Sequence, residues 1–361
     1  MLLKTINLQS FRSFHKKAFD FDEKTTIIVG PNASGKTNIL EAVNLLATGK
    51  SFRAEREEEM IMNREDIARV VGKVSGGLGG SEGGDLEAVL TRGLINDSRV
   101  ARKKLSVNGV ARRMYDFVGT LHTVLFGPWD LELVTESPSR RRKFLDNVVP
   151  QVDREYYRSL LSYEKAVRQR NKLLERIRKG EAQRSQLLFW NQLLIKNGNY
   201  LTDAREKFIN FANSTPQLGS ENFSLEYDRS PISESRLEQY AEQEIASATT
   251  LVGPHRDDFI FKSTIDTRER NLAIYGSRGE QRMGVLWLKL AELAFVEVKG
   301  GQRPVLLLDD IFSELDHKHR EVVMSVLGQQ QTIMTTADPD MIEGLDGMEG
   351  LDGKIQITNI T

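Results

Sequence analysis

Two stretches carry residues whose types and spacing suit phosphate chemistry. They are Gly30-Pro31-Asn32-Ala33-Ser34-Gly35-Lys36-Thr37-Asn38 near the N-terminus and Leu306-Leu307-Leu308-Asp309-Asp310 far downstream. In the first, Gly30 and Gly35 let the backbone turn until successive amide N–H groups face one anion, and the positive end of a helix starting near Ser34 adds to the attraction. Lys36 then reaches the β- and γ-phosphates of ATP, and the Thr37 hydroxyl ligates Mg²⁺. In the second, an apolar strand delivers two carboxylates to its C-terminal end. Asp309 is placed to hold Mg²⁺ directly or through water, and Asp310 to orient the attacking water or accept its proton. Thr335-Thr336, at the end of a later apolar run, falls where a sensor of the terminal phosphate is expected.

Other polar groups admit more than one reading. Gly276-Ser277-Arg278-Gly279-Glu280-Gln281-Arg282 opens a helical stretch, Val285 to Val296, with Ser277 as its N-cap. Its N–H groups make a second anion site, far in sequence from the first. Arg12, between Phe11 and Phe14, either reaches a phosphate of nucleotide or DNA or is a surface cation between packed rings. His255, Asp257 and Asp258 bring metal-ligand types together, but neighbouring side chains diverge, so a turn closed by its own hydrogen bonds is expected. The basic clusters Lys16-Lys17, Arg102-Lys103-Lys104, Arg112-Arg113 and Arg140-Arg141-Arg142-Lys143 are local nucleic-acid patches or solvated surface.

The elements that must position these groups follow from periodicity. Thr25 to Val29 reads as a strand and Ile39, Leu40, Val43, Leu45 and Leu46 as a helix, the strand–loop–helix setting a phosphate loop needs. Leu2 to Leu8 is a strand expected to lie beside it. Val70 to Val74, Leu86 to Thr91 and Lys104 to Val107, with the turn Asn108-Gly109, form an antiparallel meander, and Gly76 to Gly84 is a flexible hairpin tip. Leu121 to Phe126 is a strand ending at Gly127-Pro128-Trp129-Asp130. From Arg140 to about Ala212 the pattern is helical. Leu160, Tyr163, Val167, Leu174 and Ile177 mark one arm, and Leu187, Trp190, Leu194, Leu201 and Phe208 the other. Gly180 between them predicts an antiparallel hairpin, with Arg168, Arg170, Lys172, Arg176, Arg178 and Lys179 on a face that is either solvated, the favoured reading, or a DNA or partner surface. Asn271 to Tyr275 and Ile355 to Ile360 read as strands, and 344–353 as loop.

Composition narrows the classes of function. The 361 residues are 39% hydrophobic and 28% charged, with no apolar run of membrane-spanning length. Lys4, Asn7, Gln9 and Arg12 interrupt any export signal, so the cytoplasm is the expected compartment. The absence of cysteine excludes disulfides, thiolate metal sites and thiol nucleophiles. A net charge of −1 excludes coating of nucleic acid by bulk positive charge.

The order of motifs, phosphate loop, Gly-Pro-Trp-Asp, Ser-Arg-Gly-Glu-Gln-Arg, Leu-Leu-Leu-Asp-Asp and Ser-Glu-Leu-Asp, is similar to that of an ABC-type ATPase head. Together with Phe11-Arg12-Ser13-Phe14, Arg140 to Asp146, Gln169 to Leu174 and Gly253 to Asp258, the chain resembles the RecF family over nearly its full length. The resemblance implies an α/β fold, a P-loop ABC-ATPase-like head with mixed sheet and antiparallel meander plus an inserted helical lid. Residues 1–139 and 246–361 would form the head and 140–245 the lid. It implies a weak, DNA-stimulated ATPase that forms an ATP-dependent homodimer. Ser277, Arg278, Gly279, Glu280 and Gln281 of one copy would close on the nucleotide held by Gly30 to Asn38 and Arg12 of the other, and Ser313, Glu314, Leu315 and Asp316 would line the seam. Asp130 would stand where transporters place a glutamine, next to Trp129. Partners would be double-stranded and gapped DNA and RecR, with RecO and RecA acting indirectly, and no membrane.

Overall fold

The structure is a computed structural model that describes residues 1–76, 83–95, 97–218, 222–265, 268–313, 317–338 and 355–360. Contact density divides the chain into two units, Met1–Asp130 with Glu292–Thr361, and Leu131–Ala291. The expected insertion, 140–245, falls inside the second.

The first unit is built on two sheets. One has the strand order Thr123–Phe126, Val305–Asp309, Thr332–Thr336, Thr25–Val29, Ile355–Asn359, with every pairing parallel. Each residue of Thr25–Val29, Val305–Asp309 and Thr332–Thr336 is buried, which is why these runs read as continuously apolar or β-branched. The other sheet is antiparallel, in the order Phe14–Asp20, Leu2–Phe11, Ile67–Ser75, Gly84–Thr91, Lys103–Val107, Val110–Arg112. Buried and open positions alternate along Ile67–Ser75, the signature of a sheet with one covered face. The helix Lys36–Thr48 contacts strands of both sheets and buries Ile39, Leu40, Val43, Leu45 and Leu46 in one core cluster.

The first strand corrects the sequence reading. Leu2–Phe11 pairs with Phe14–Asp20 and Ile67–Ser75, not with the phosphate-loop strand, whose two edges are taken by Thr332–Thr336 and Ile355–Asn359. An alternating strand has one apolar face to bury, whereas the central position of a covered parallel sheet requires two. The Asn108-Gly109 turn is as expected: both residues have positive φ, 51° and 75°, and Val107 pairs with Val110 across it. Most of the glycine-rich tip, 77–82, and the loop 344–353 lie outside the described residues.

The second unit contains the predicted helical hairpin, Arg154–Arg178 against Leu188–Asn213. Asp153 caps the first arm by accepting from the Tyr156 N–H at 2.9 Å, and Gly180, at φ 77°, lets the chain leave it. A three-stranded antiparallel sheet follows the order Asn222–Asp228, Asp258–Ile265, Arg268–Asn271. The strand expected over Asn271 to Tyr275 is not formed. The Asn271 side chain instead accepts from the Ala273 N–H at 2.9 Å, which starts a helical turn, Leu272–Tyr275.

Arg170 is not on a solvated face either. It is 2% exposed and donates to Glu244, Thr250 and Asn191 at 2.6, 3.0 and 2.8 Å. Among the described residues, no helix is long and apolar enough to cross a membrane.

Candidate nucleotide site

The first unit brings most of the expected phosphate-binding residues together because parallel strands end on a common edge. Gly30 follows the strand Thr25–Val29 and donates its N–H to the Thr336 carbonyl at 3.4 Å, tying the loop to the end of the neighbouring strand. The glycines are required by geometry. A Cβ on Gly30 would lie 2.4 Å from the Ile360 carbonyl oxygen, and Gly35 sits at φ 102° with a would-be Cβ 2.8 Å from Ser13 Oγ. Ala33 is also left-handed, at φ 68°. Pro31, Asn32 and Ala33 are exposed along the loop.

The helix Lys36–Thr48 starts from Gly35 without a side-chain cap and with no acidic residue in its first turn. No carboxylate of its own first turn therefore competes for its leading N–H groups and dipole. The Ser34 hydroxyl is buried without a hydrogen-bond partner, as a group meant for a ligand would be. Lys36 Nζ donates to the carbonyls of Gly30 and Pro31 at 2.6 and 2.9 Å, which holds its charge over the loop.

Thr37 and Asp309, the two residues expected to hold Mg²⁺, are brought together. Thr37 Oγ1 donates to Asp309 Oδ1 at 3.0 Å, and Thr335 Oγ1 donates to the same oxygen at 2.7 Å. Burial raises the Asp309 pKa, opposed by these hydroxyls and by the charge of Arg53, while Asp310 adds to the rise. One carboxylate and one hydroxyl form an all-oxygen pair suited to Mg²⁺, which takes its remaining ligands from water and phosphate. No group of three or more His, Cys, Asp or Glu side chains could hold a metal alone among the described residues. Asp310 has a left-handed backbone, φ 46°, and its N–H donates to the Thr335 carbonyl and hydroxyl at 3.2 and 3.1 Å. A non-glycine residue held there at a strand end is the kind of constraint that collects at working sites. Asp130 is buried, and its carboxylate accepts from the Gly127 N–H at 2.8 Å, closing the turn after Thr123–Phe126.

Arg12 has a definite partner. Its guanidinium donates to both oxygens of Glu41, at 2.6 and 2.8 Å, and to the Glu59 carbonyl at 2.6 Å. Glu41 is fully buried and also binds Ser51 and Arg53. Burial would raise its pKa, but the hydrogen bonds from Arg12, Ser51 and Arg53 win and hold it low. Sequence reasoning missed this hub. The signal was a lone carboxylate on the apolar face of the helix, between Leu40 and Ala42.

The loop expected to make a second anion site, Gly276 to Arg282, lies in the second unit. Ser277 Oγ accepts from the Glu280 N–H at 3.2 Å while the Glu280 carboxylate accepts from the Ser277 N–H at 2.6 Å, a reciprocal capping box. Arg270 pairs with Glu280 as well. Burial opposes ionisation of Glu280, but the Ser277 N–H and hydroxyl, with the Arg270 charge, hold its pKa low. Arg278 and Gly279 fill the first turn, and Gln281 is anchored to the carbonyls of Leu272 and Gly276, each at 3.2 Å. Of the Ser313 to Asp316 stretch, Ser313 ends a short turn, Ile311–Ser313, and Glu314, Leu315 and Asp316 lie outside the described residues.

The Gly253 to Asp258 segment is a turn, as expected. His255 bonds the Tyr163 hydroxyl and the Thr250 carbonyl at 2.7 and 3.0 Å, and burial pushes its pKa down to about 4. Asp257 receives Arg205 at 3.2 Å, and Asp258 receives Arg141 at 2.7 and 2.9 Å. Arg142 donates to the Asp257 carbonyl at 2.8 Å, and Arg140 pairs with Glu132 and Glu136 at 2.8 and 3.3 Å. The cluster at 140–142 therefore braces its own unit.

With the geometry in hand, comparison places the chain among known proteins. The sequence profile of the RecF/RecN/SMC N terminal domain family matches residues 2–357. The DNA replication and repair proteins RecF of Herpetosiphon aurantiacus and Rippkaea orientalis are each 36% identical to it, over 94% and 93% of both chains. The chain belongs to the RecF family. The recombination mediator protein RecF in its ATP-bound form, of the RecFOR pathway, superposes with a TM-score of 0.83 at 30% identity, covering 94% of this chain and 92% of that one. An SMC head bound to the C-winged helix domain of ScpA shares the fold, with a TM-score of 0.51 at 17% identity. The RecF family relationship accounts for the ABC-type head and for the helical hairpin.

Proposed function

We propose that this protein is an ATP-dependent DNA-binding protein of replication and recombinational repair, whose ATP binding drives dimerisation and whose slow hydrolysis reverses it. One observation carries the reading: an uncapped helix start, Gly35-Lys36-Thr37, stands beside a buried carboxylate, Asp309, that is bonded to Thr37. The ATP-bound RecF relative supports ATP as the nucleotide, and the oxygen-only pair Thr37 and Asp309 supports Mg²⁺ as the cation. Bound there, Mg²⁺ would neutralise charge on the phosphates. The amides of Asn32, Ala33, Gly35 and Lys36 bind and orient the phosphate chain, with Gly30 and Pro31 forming the turn and the Ser34 hydroxyl and Asn38 shaping its path. Lys36 adds a point charge, and Asp310 accepts the proton of the attacking water. Thr335, bonded to Asp309, and Thr336, whose carbonyl holds the Gly30 N–H, would register whether the terminal phosphate is present.

In this reading the Ser277-Arg278-Gly279-Glu280-Gln281 loop of a second copy completes the site. A triphosphate gripped by helix starts of separate chains makes association depend on nucleotide. The dimer would hold double-stranded or gapped DNA and act with RecR and RecO in helping RecA load at gaps, as the RecFOR context of the solved relative suggests. Domain limits of 1–139 with 246–361 for the head and 140–245 for the lid, and a seam at Ser313 to Asp316, belong to the same proposal.

The test is phosphate release from MgATP with and without gapped duplex DNA. Slow release that rises with DNA is expected; background release in both conditions contradicts the enzymatic reading.

A further inference from the structure

We propose that Trp129 is a positioning residue for ATP hydrolysis, acting through Phe52 on the guanidinium of Arg53. The inference rests on the nucleotide site proposed above and adds a residue to it. Trp129 stacks on Phe52 with ring centroids 4.8 Å apart and planes 22° from parallel. Its indole lies so close to Gly127 that a Cβ there would stand 2.5 Å from it, so the ring is clamped between the turn backbone and Phe52. The turn itself is closed by Asp130 and the Gly127 N–H.

The guanidinium carbon of Arg53 is 5.7 Å from the centroid of the same Phe52 ring. Arg53 donates to Asn38 Oδ1 at 2.6 Å and to Glu41 Oε2 at 2.7 Å, both on the helix that begins at Lys36. Ser51 Oγ accepts from the N–H groups of Arg53 and Ala54 at 2.9 and 2.7 Å and binds Glu41, so the segment is pinned at its start by the helix and beside it by the aromatic stack. The Arg53 side chain remains 37% exposed while its partner Glu41 is 0% exposed.

An exposed arginine that is free to move has side-chain entropy to lose on being fixed. Here the stack and the hydrogen bonds remove that freedom before any ligand arrives. The result is a preoriented cation beside Asn38, one residue from Thr37. Removing the indole leaves Arg53 its bonds to Glu41 but frees the segment to shift about Ser51. Nucleotide binding, which the loop amides and Lys36 dominate, should change little, while the step that needs a fixed charge should slow.

The experiment is a double-mutant cycle on steady-state ATP turnover with Trp129→Ala, Arg53→Ala and the double variant, plus Trp129→Phe as rescue. Each single alanine variant is expected to lower kcat about tenfold with KM within about twofold. The double variant should be no slower than Arg53→Ala alone, and Trp129→Phe should recover to within about twofold of the parent. Multiplicative losses in the double variant, a loss confined to KM, or parental kcat in Trp129→Ala would each overturn the proposal. If the parent protein binds MgATP but releases no phosphate, the hydrolytic reading fails and this proposal falls with it; parental turnover unaffected by Trp129→Ala leaves that reading standing and sinks this proposal alone.

Discussion

The two units treat their polar groups in opposite ways. In the first, the helix start at Lys36 is uncapped, Ser34 Oγ has no partner, and Gly35 turns the loop into the helix at φ 102°. In the second, nearly every polar group of interest is closed on its own unit. Ser277 and Glu280 cap each other. Arg205, 2% exposed, binds Asp146 and Asp257 at 2.9 and 3.2 Å, Tyr156 at 2.9 Å and the Pro254 carbonyl at 2.7 Å. Arg170 is enclosed with Glu244 in the same manner. The lesson is that charge density in a sequence does not mark a ligand site.

That contrast can be broken from either side. The largest effect on stability should come from Arg205→Met, which leaves the buried Asp257 and the part-buried Asp146 without their cation. A loss of about 3–5 kcal/mol is expected from the midpoint of chemical denaturation. A change under about 1 kcal/mol would mean that the network is not holding the unit together. Lys36→Arg should do the reverse, lowering turnover on the order of a hundredfold, because a planar fork cannot place a point charge in the cradle, while stability stays within about 0.5 kcal/mol. Normal turnover in that variant would remove Lys36 from the mechanism.

His255 gives an intermediate effect with a definite sign. Its folded pKa, about 4, lies below the ordinary 6.5, so both states are neutral above pH 7 and no stability is lost there. As the pH falls through 6.5 the unfolded chain takes up the proton first, and the fold should lose about 2 kcal/mol between pH 7 and 5. A His255→Gln variant should lack that part of the pH dependence in parallel denaturation series; an identical pH slope in both proteins would contradict the assignment. The smallest effect is at the capping box. Glu280→Ala should cost about 1 kcal/mol, and no loss would show that the Ser277 start is not held by its own side chains.

The same contrast explains how much could be read in advance. The phosphate loop, the strand with Asp309 and Asp310, and the helix start at Ser277 are local patterns whose spacing dictates geometry, and each stands in the element expected of it. The hairpin was legible because its apolar positions recur with a helical period on both sides of Gly180. Partners distant in sequence were not. Nothing local to Arg205 announces Asp146 or Asp257, and Arg170 read as one more cation on a charged arm although it is buried. The sheet joined by Leu2–Phe11 was missed because periodicity fixes a strand's faces and leaves its neighbours open. The cluster at 140–142 stayed open between a nucleic-acid patch and solvated surface for a related reason, since the acceptors of Arg141 and Arg142, Asp258 and Asp257, lie more than a hundred residues away.

The central claim is that a triphosphate held at Gly30 to Thr37 is completed by the Ser277 loop of a second copy. Solution mass measured by sedimentation for the Asp310→Asn protein, in saturating MgATP and in MgADP, tests it directly. A dimer in ATP, a monomer in ADP, and loss of the ATP dimer on adding Ser277→Arg with nucleotide binding retained are the expected results. A single-chain mass in ATP at every accessible concentration, or a dimer unaffected by Ser277→Arg, would contradict the account.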